Sequence, residues 1–96
     1  GLSMKRNPNS NRSKRWAERN CLSSDRCVSY VKDLCEAYGI KYKISGDKLF
    51  VDSDGISYRV YPDYENICII AVNKKTGEKK WYDGDSCWVD FILDIL

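Results

Sequence analysis

The fold is decided by the stretch Ile67-Cys68-Ile69-Ile70-Ala71-Val72, six consecutive apolar residues in a chain of 96. Six residues are too few for periodicity to distinguish a strand from a helix, but the β-branched side chains and the turn formers on both sides favour a strand. A strand without polar side chains has to be covered on both faces. The stretch therefore predicts the central strand of a sheet.

Three short segments before this stretch alternate apolar and polar residues, as strands with one buried face do. The side chains predicted to face the core are Ile40, Tyr42, Ile44, Leu49, Val51, Ile56, Tyr58 and Val60. The triplets Ser45-Gly46-Asp47 and Ser53-Asp54-Gly55 are typical of tight hairpin turns. Residues 73–77 then return the chain into a fifth strand that ends at Tyr82. The pattern predicts a five-strand antiparallel β-meander.

Helices are predicted on both sides of the meander. An apolar face at helical spacing predicts one helix over residues 24–38, which Gly39 ends; its members are Val28, Val31, Leu34, Cys35 and Tyr38. The C-terminal helix is predicted to dock through a broad apolar face formed by Trp88, Val89, Ile92, Leu93, Ile95 and Leu96. Both helices packed on one sheet face make an α+β two-layer sandwich.

The N-terminal segment differs from the rest of the chain in charge. Residues 1–20 hold six Lys or Arg and one Glu, a net charge of +5, whereas residues 21–96 hold ten Lys or Arg and thirteen Asp or Glu, a net charge of −3. Residues 1–3, before Met4, resemble a remnant of cloning, and residues 4–13 are expected to be disordered. With Ser13 as N-cap, residues 14–22 are predicted to form a short helix. We therefore divide the chain into a basic N-terminal arm, residues 1–22, and a single α+β domain, residues 23–96.

The composition indicates a globular protein that is not an enzyme. Its content of 43% hydrophobic and 31% charged residues is ordinary for a soluble domain, and no apolar run approaches a membrane span. Five cysteines without C-x-x-C spacing, in a chain without a secretory signal, predict free thiols and a cytoplasmic location. The absence of histidine excludes Ser-His-Asp and Cys-His catalysis and histidine-ligated metals. We expect no catalytic residues, no metal and no cofactor.

One enzymatic pattern is present as a remote alternative. Pro62-Asp63, followed by Glu78-Lys79-Lys80, resembles the PD-(D/E)xK motif of metal-dependent nucleases. The resemblance implies two carboxylates that hold a magnesium ion and a lysine that orients the attacking water. It departs from the family pattern because the triplet lies beyond a turn, and Asn73 stands near the end of the hydrophobic strand where the family has its carboxylate.

The preferred function is binding of nucleic acid by the basic arm and by the polar face of the sheet, where lysines and arginines would meet phosphates and aromatic rings would stack on bases. The residues predicted to bind are Arg12, Lys14, Arg15, Arg19, Lys41, Lys43, Lys48, Phe50, Arg59 and Tyr61. The same surface also fits an ordinary solvated sheet face.

The alternative is a protein-docking inhibitor or adaptor, of the kind encoded by phages or other mobile elements. Its small size and aromatic content favour this hypothesis, and aromatic side chains are frequent anchors at protein interfaces. The anchors would be Tyr61, Tyr64, Trp81 and Tyr82.

Overall fold

The computed structural model describes residues 11–96. The expected disorder of residues 4–13 is wrong for residues 11–13, which are helical, and for residues 4–10 it lies outside the described part of the chain. Its helices are α1 (Asn11–Asn20), α2 (Asp25–Ala37) and α3 (Cys87–Ile95). Its strands are β1 (Lys41–Ser45), β2 (Lys48–Ser53), β3 (Ile56–Asp63), β4 (Cys68–Asn73) and β5 (Lys79–Asp83). The predicted α+β class and the C-terminal helix are confirmed.

The five strands form one antiparallel sheet in the order β1-β2-β3-β4-β5, which confirms the predicted meander. The β2–β3 turn contains Asp54 and Gly55 with φ of 54° and 77°. Two successive positive φ angles match the right-handed twist of the flanking strands, which explains the short polar sequence there. The middle position belongs to β3, so the apolar stretch that decides the fold lies one strand from the centre.

The main core lies between one sheet face and the helices, and we call this sheet face the inner face. Leu49, Val51, Val60 and Ile69 are buried there, in one cluster with side chains of all three helices. The alternation predicted for β1, β2 and β3 is confirmed, although Ile56 is only half-buried. The strands therefore present their other side chains on the opposite surface, which we call the outer face.

Strand β4 differs from the prediction at its start. Ile67 precedes the strand with φ of 54°, an uncommon conformation for a β-branched residue, and its side chain is buried in the main core. On the outer face, Cys68, Ile70 and Val72 form a second small cluster with Tyr61. These side chains and Tyr61 shield one another, which explains how a strand that is apolar from Cys68 to Val72 can lie in a two-layer fold.

Helix α3 docks through a narrower stripe than predicted. Cys87, Trp88, Phe91 and Ile92 are buried, and this set includes Phe91, which the prediction omits. The predicted burial of Leu93 and Leu96 is wrong, since 52% and 58% of their surfaces are exposed. At 100° per residue, Val89, Leu93 and Leu96 lie on the side of the helix away from the buried stripe.

Helix α2 matches its predicted bounds, with Ser24 as N-cap and Tyr38 as C-cap. The predicted apolar face ends one turn early, because Tyr38 leaves helical geometry and is 46% exposed. The helix gains a buried residue at its other end, where Cys27 is inaccessible to solvent.

Helix α1 begins earlier than predicted and contributes to the main core. Ser13 lies inside the helix instead of capping it, and its hydroxyl donates to the Tyr64 carbonyl at 3.3 Å. Trp16, Cys21 and Leu22 are buried in the same cluster as the sheet. The core therefore includes side chains from the segment that the sequence assigns to the arm.

The end of α1 is held by α3. The indole N–H of Trp88 donates to the carbonyl of Asn20 at 2.8 Å, and both residues are buried. Asn20 is the last residue of α1, where backbone carbonyls lack partners within the helix. This bond ties the first and last helices together.

All five cysteines are free, as predicted, and all five are buried. Burial raises the pKa of Cys27 and Cys35 to about 11, and that of Cys21 and Cys87 to about 12. These thiols are protonated at neutral pH and serve as small core side chains. Across residues 11–96, no helix has the length and apolarity needed to cross a membrane.

Candidate nucleic-acid interface

The outer face brings together the basic and aromatic residues predicted from the three hairpin strands. Strand pairing places Lys43 opposite Phe50, Phe50 opposite Arg59, Arg59 opposite Val72 and Val72 opposite Lys79. These residues form one row across all five strands, because directly paired residues of neighbouring strands point to the same face. The row has a cation at each edge of the sheet, with an aromatic ring, a third cation and an apolar side chain between them.

A second row lies beside the first and is more apolar. Ile70 pairs with Tyr61 on one side and with Trp81 on the other. The indole of Trp81 is 61% exposed, whereas Ile70 is buried beneath its neighbours. The two rows together form an aromatic and apolar centre with positive charge around it.

The positive charge of this face is largely without carboxylate partners. Six basic side chains lie on it, against three carboxylates: that of Asp52, which accepts a hydrogen bond from the Ser57 hydroxyl, and those of Asp63 and Asp83 at one end of the face. The six are Lys41, Lys43, Lys48, Arg59, Lys74 and Lys79. Among the described residues, Lys48 alone of these six has a carboxylate within ion-pair distance, that of the adjacent Asp47 at 3.9 Å. The remaining five cations are available to an anionic ligand.

Two of these cations lie against aromatic rings. The Arg59 guanidinium carbon is 5.6 Å from the ring centroid of Tyr61, and Lys74 Nζ is 5.8 Å from that of Phe50. Both distances are within the range of cation–π attraction. The contacts hold the flexible cationic side chains over the rings, so positive charge and aromatic surface occur at the same points.

Open grooves flank Phe50 on both sides. One groove, of about 400 Å³, is lined by Lys41, Lys43 and Lys74 together with the polar groups of Asp52 and Ser57. The second groove, of about 380 Å³, is lined on its charged side by Lys48, Arg59 and Lys74. Each groove offers three cations to an anion.

The arginines of α1 form a separate site. Arg12, Arg15 and Arg19 line a cleft of about 620 Å³ between α1 and the loops that precede β4 and α3. Asp83 and Asp85 line the same cleft, and Arg19 Nη1 is 3.8 Å from Asp85 Oδ2. Both side chains of this pair are mostly exposed, so it contributes little stability. Lys14 is exposed on α1 and is not part of the cleft lining.

An acidic strip at one end of the outer face lies between the arginine cleft and the basic part of that face. The strip consists of Asp63 and Asp83, which both pair with Cys68, and the neighbouring Asp85. Burial, and then the charges of Asp63 and Asp83, raises the pKa of the Cys68 thiol. The predicted binding residues therefore fall on two surfaces, because the strip interrupts any continuous basic track between them.

Three contributors to the outer face were absent from the predicted site. Lys79 and Trp81 alternate along β5, so the sequence does indicate that they share a face. Which face they occupy depends on the register with β4, which the sequence pattern leaves open. Lys74 reaches Phe50 from the β4–β5 turn, and no local pattern signals that contact.

The residues of the nuclease resemblance lie far apart. Asp63 pairs with Cys68 at the start of β4, whereas the Glu78 carbonyl accepts a hydrogen bond from Asn73 at the end of the same strand. Five residue steps of strand separate these positions, about 17 Å. The Asp63 carboxylate accepts hydrogen bonds from Asn66 and from the Glu65 amide, so it stabilises the β3–β4 loop. Asp63 and Glu78 cannot bind one metal ion in this arrangement.

The four aromatic anchors of the docking hypothesis are also divided. Tyr61 and Trp81 are on the outer face, while Tyr64 and Tyr82 pack against the main core. The Tyr64 hydroxyl donates to Asp47 and the Tyr82 hydroxyl donates to Asp94. Of these four anchors, Tyr61 and Trp81 alone share the outer face.

The described residues thus define a small two-layer α+β protein with a basic, aromatic sheet face and a separate arginine cleft. Comparisons of the chain with protein-family models, with curated proteins and with solved structures gave no match.

Proposed function

We propose that this protein binds nucleic acid through the outer face of its sheet. The observation that carries the proposal is the group of five basic side chains on this face that, within residues 11–96, have no carboxylate at ion-pair distance. Phosphate groups supply the missing negative charge, and every phosphate bound releases counterions, which favours association. The aromatic rings of this face add contact area for bases; Trp81 is exposed, whereas Phe50 and Tyr61 are half-buried.

The arginine cleft contributes less to nucleic-acid binding than the outer face in this proposal. Its three arginines face two carboxylates across the cleft, so its net attraction for a phosphate chain is smaller than that of the outer face. Arg12, Arg15 and Arg19 would strengthen binding of a long ligand that reaches past the acidic strip. A short ligand would bind at the sheet alone.

Binding can be measured by fluorescence anisotropy with a 20-nucleotide probe at 50 and 200 mM salt. If four phosphates are neutralised, the affinity falls about 50- to 150-fold between these two salt concentrations. Exchanging Lys43→Glu together with Arg59→Glu should weaken binding at least tenfold at 50 mM salt and flatten the salt dependence. Both side chains are exposed, so the thermal stability should stay near that of the native protein.

The matched control is Arg26→Glu together with Lys32→Glu, an exposed Arg and Lys on α2. This pair changes the net charge of the protein by the same amount at a place remote from the outer face. It should alter affinity less than threefold. Equal losses in the two double variants would show a response to overall charge and overturn the assignment, and so would the absence of any binding at low salt.

A protein partner is the second candidate, and the exposed Trp81 beside Ile70 and Tyr61 favours it. The surrounding cations require such a partner to be acidic. A pull-down from nuclease-treated lysate separates the candidates, since a partner retained at high salt, together with no binding to probe, would favour docking over nucleic-acid binding.

A further inference from the structure

We infer that the outer face selects single-stranded nucleic acid over a duplex, with Phe50, Tyr61 and Trp81 as stacking platforms for unpaired bases. The inference rests on the proposed function and adds to it the class of ligand and the residues that discriminate.

The spacing of the three rings follows from the strand register. Tyr61 and Trp81 flank Ile70 on its two sides, so their Cα atoms lie two strand separations apart, about 10 Å. Phe50 pairs with Arg59, two residues from Tyr61, which places the Cα atoms of Phe50 and Tyr61 about 8 Å apart. The platforms therefore cross the sheet from β2 to β5 at nearly regular intervals.

This arrangement suits bases that are turned outward. A single strand can expose the flat faces of successive bases to aromatic rings, whatever the base sequence. In a duplex those faces are stacked on neighbouring base pairs, and only base edges and phosphates are accessible. The exposed indole of Trp81 would thus contribute to binding of a single strand and little to binding of a duplex.

Cations accompany each platform, as a phosphate chain requires. Lys74 lies at Phe50 and Arg59 at Tyr61, while Lys79 lies two residues from Trp81 on the same face of β5. A strand that stacks its bases on the rings can place its phosphates in the grooves beside Phe50. The acidic strip repels phosphates at one end of the strands, so the favoured path runs across the sheet.

Trp81 also provides a direct signal. Of the three tryptophans, Trp16 and Trp88 are buried, so an external quencher or a stacked base acts mainly on Trp81. A single-stranded oligothymidylate should therefore quench part of the intrinsic fluorescence of the native protein. The quenching should disappear in Trp81→Ala.

The test compares 20-nucleotide single-stranded DNA with a 20-base-pair duplex, using native protein, Trp81→Ala and Trp81→Phe. We expect the single strand to bind at least tenfold more tightly than the duplex. Trp81→Ala should weaken single-strand binding about 5- to 150-fold without changing its salt dependence, while Trp81→Phe keeps most of the affinity. Tyr30→Ala removes an exposed ring from α2, away from the sheet, and should have no effect.

The outcomes distinguish this inference from the proposed function. Equal binding of duplex and single strand, or an unaffected Trp81→Ala combined with weakened Lys43→Glu/Arg59→Glu, would overturn single-strand selection and leave electrostatic binding intact. Failure of both probes to bind would overturn both proposals.

Discussion

The docking of helix α3 can be tested by comparing Phe91→Ala with Leu93→Ala, two substitutions two residues apart in one helix. Phe91 is fully buried, and its ring meets those of Tyr58 and Tyr82 edge-on at centroid distances of 6.0 and 5.8 Å. Removing a buried Phe side chain costs about 3–5 kcal/mol, a figure that includes the cavity left behind. Domains of this size have a total stability of about 5–15 kcal/mol, so the loss is a large fraction of it.

Leu93 is the matched control, because its side chain is half exposed and Leu and Ala have similar helix propensities. Its replacement should change the free energy of unfolding by less than about 1 kcal/mol. Urea denaturation followed by circular dichroism measures both values. With a slope of about 1.5 kcal/mol per M, Phe91→Ala should lower the midpoint by about 2–3 M, whereas Leu93→Ala should leave it almost unchanged.

A second replacement covers the case in which Phe91→Ala does not fold. Phe91→Leu keeps most of the volume and should lose about 1–2 kcal/mol, still more than Leu93→Ala. A stability loss at Leu93 equal to that at Phe91 would show that the helix docks by its other stripe and would refute the packing described above.

Three further predictions concern other parts of the molecule. Trp88→Phe removes the donor to the buried Asn20 carbonyl, whereas the indole N–H that Trp16→Phe removes has no hydrogen-bond partner among the described residues. Trp88→Phe should therefore lower the free energy of unfolding by about 1–3 kcal/mol more than Trp16→Phe. Chemical denaturation of both variants checks this, and equal losses would contradict it. Stability should be constant from pH 6 to 8 and fall above pH 9. Burial raises the pKa of four cysteines from 9.0 to about 11 or 12 in the folded protein, so above pH 9 the unfolded chain loses its thiol protons first and is favoured. Thermal melts at increasing pH would refute this if stability stayed level to pH 11. Asp83→Asn together with Asp85→Asn should strengthen binding of a 20-nucleotide probe several-fold at 50 mM salt and much less at 200 mM, because the double variant removes repulsion from the acidic strip. Anisotropy titrations that show unchanged affinity at both salt concentrations would refute the repulsive role of the strip.

Periodicity was sufficient to predict the hairpin strands and their inner residues. In a strand with alternating side chains, the apolar residues all share one face, and that face is the one that is buried. Helix α3 shows where it fails. Its nine residues are apolar at most positions, so two apolar stripes are possible, and tertiary contacts such as those of Phe91 with Tyr58 and Tyr82 determine which one is buried. A sequence pattern describes one helix or strand by itself, whereas the docking of a helix depends also on the sheet surface that it packs against.

Only part of the candidate site could be predicted, because part of it depends on tertiary contacts. Lys43, Phe50, Arg59 and Tyr61 belong to strands joined by tight hairpins, so their shared face follows from local sequence. The second half of the surface comes from β5, whose register is set by hydrogen bonds around Asn73 in the preceding turn. The acidic strip could not be foreseen, because Asp63 and Asp83 are 20 positions apart in the sequence and meet only through Cys68.

The meander also has a consequence for the rate of folding. Every strand pairs with its neighbour in sequence, so the sheet forms through short loop closures, and individual hairpins close in about 1–10 μs. The bond between Trp88 and Asn20 instead joins residues 68 positions apart. The entropy of closing so long a loop is recovered only when α3 docks, so we expect a transition state with the hairpins largely formed and the α1–α3 contact still absent. Substitutions at Trp88 would then accelerate unfolding and leave the refolding rate almost unchanged.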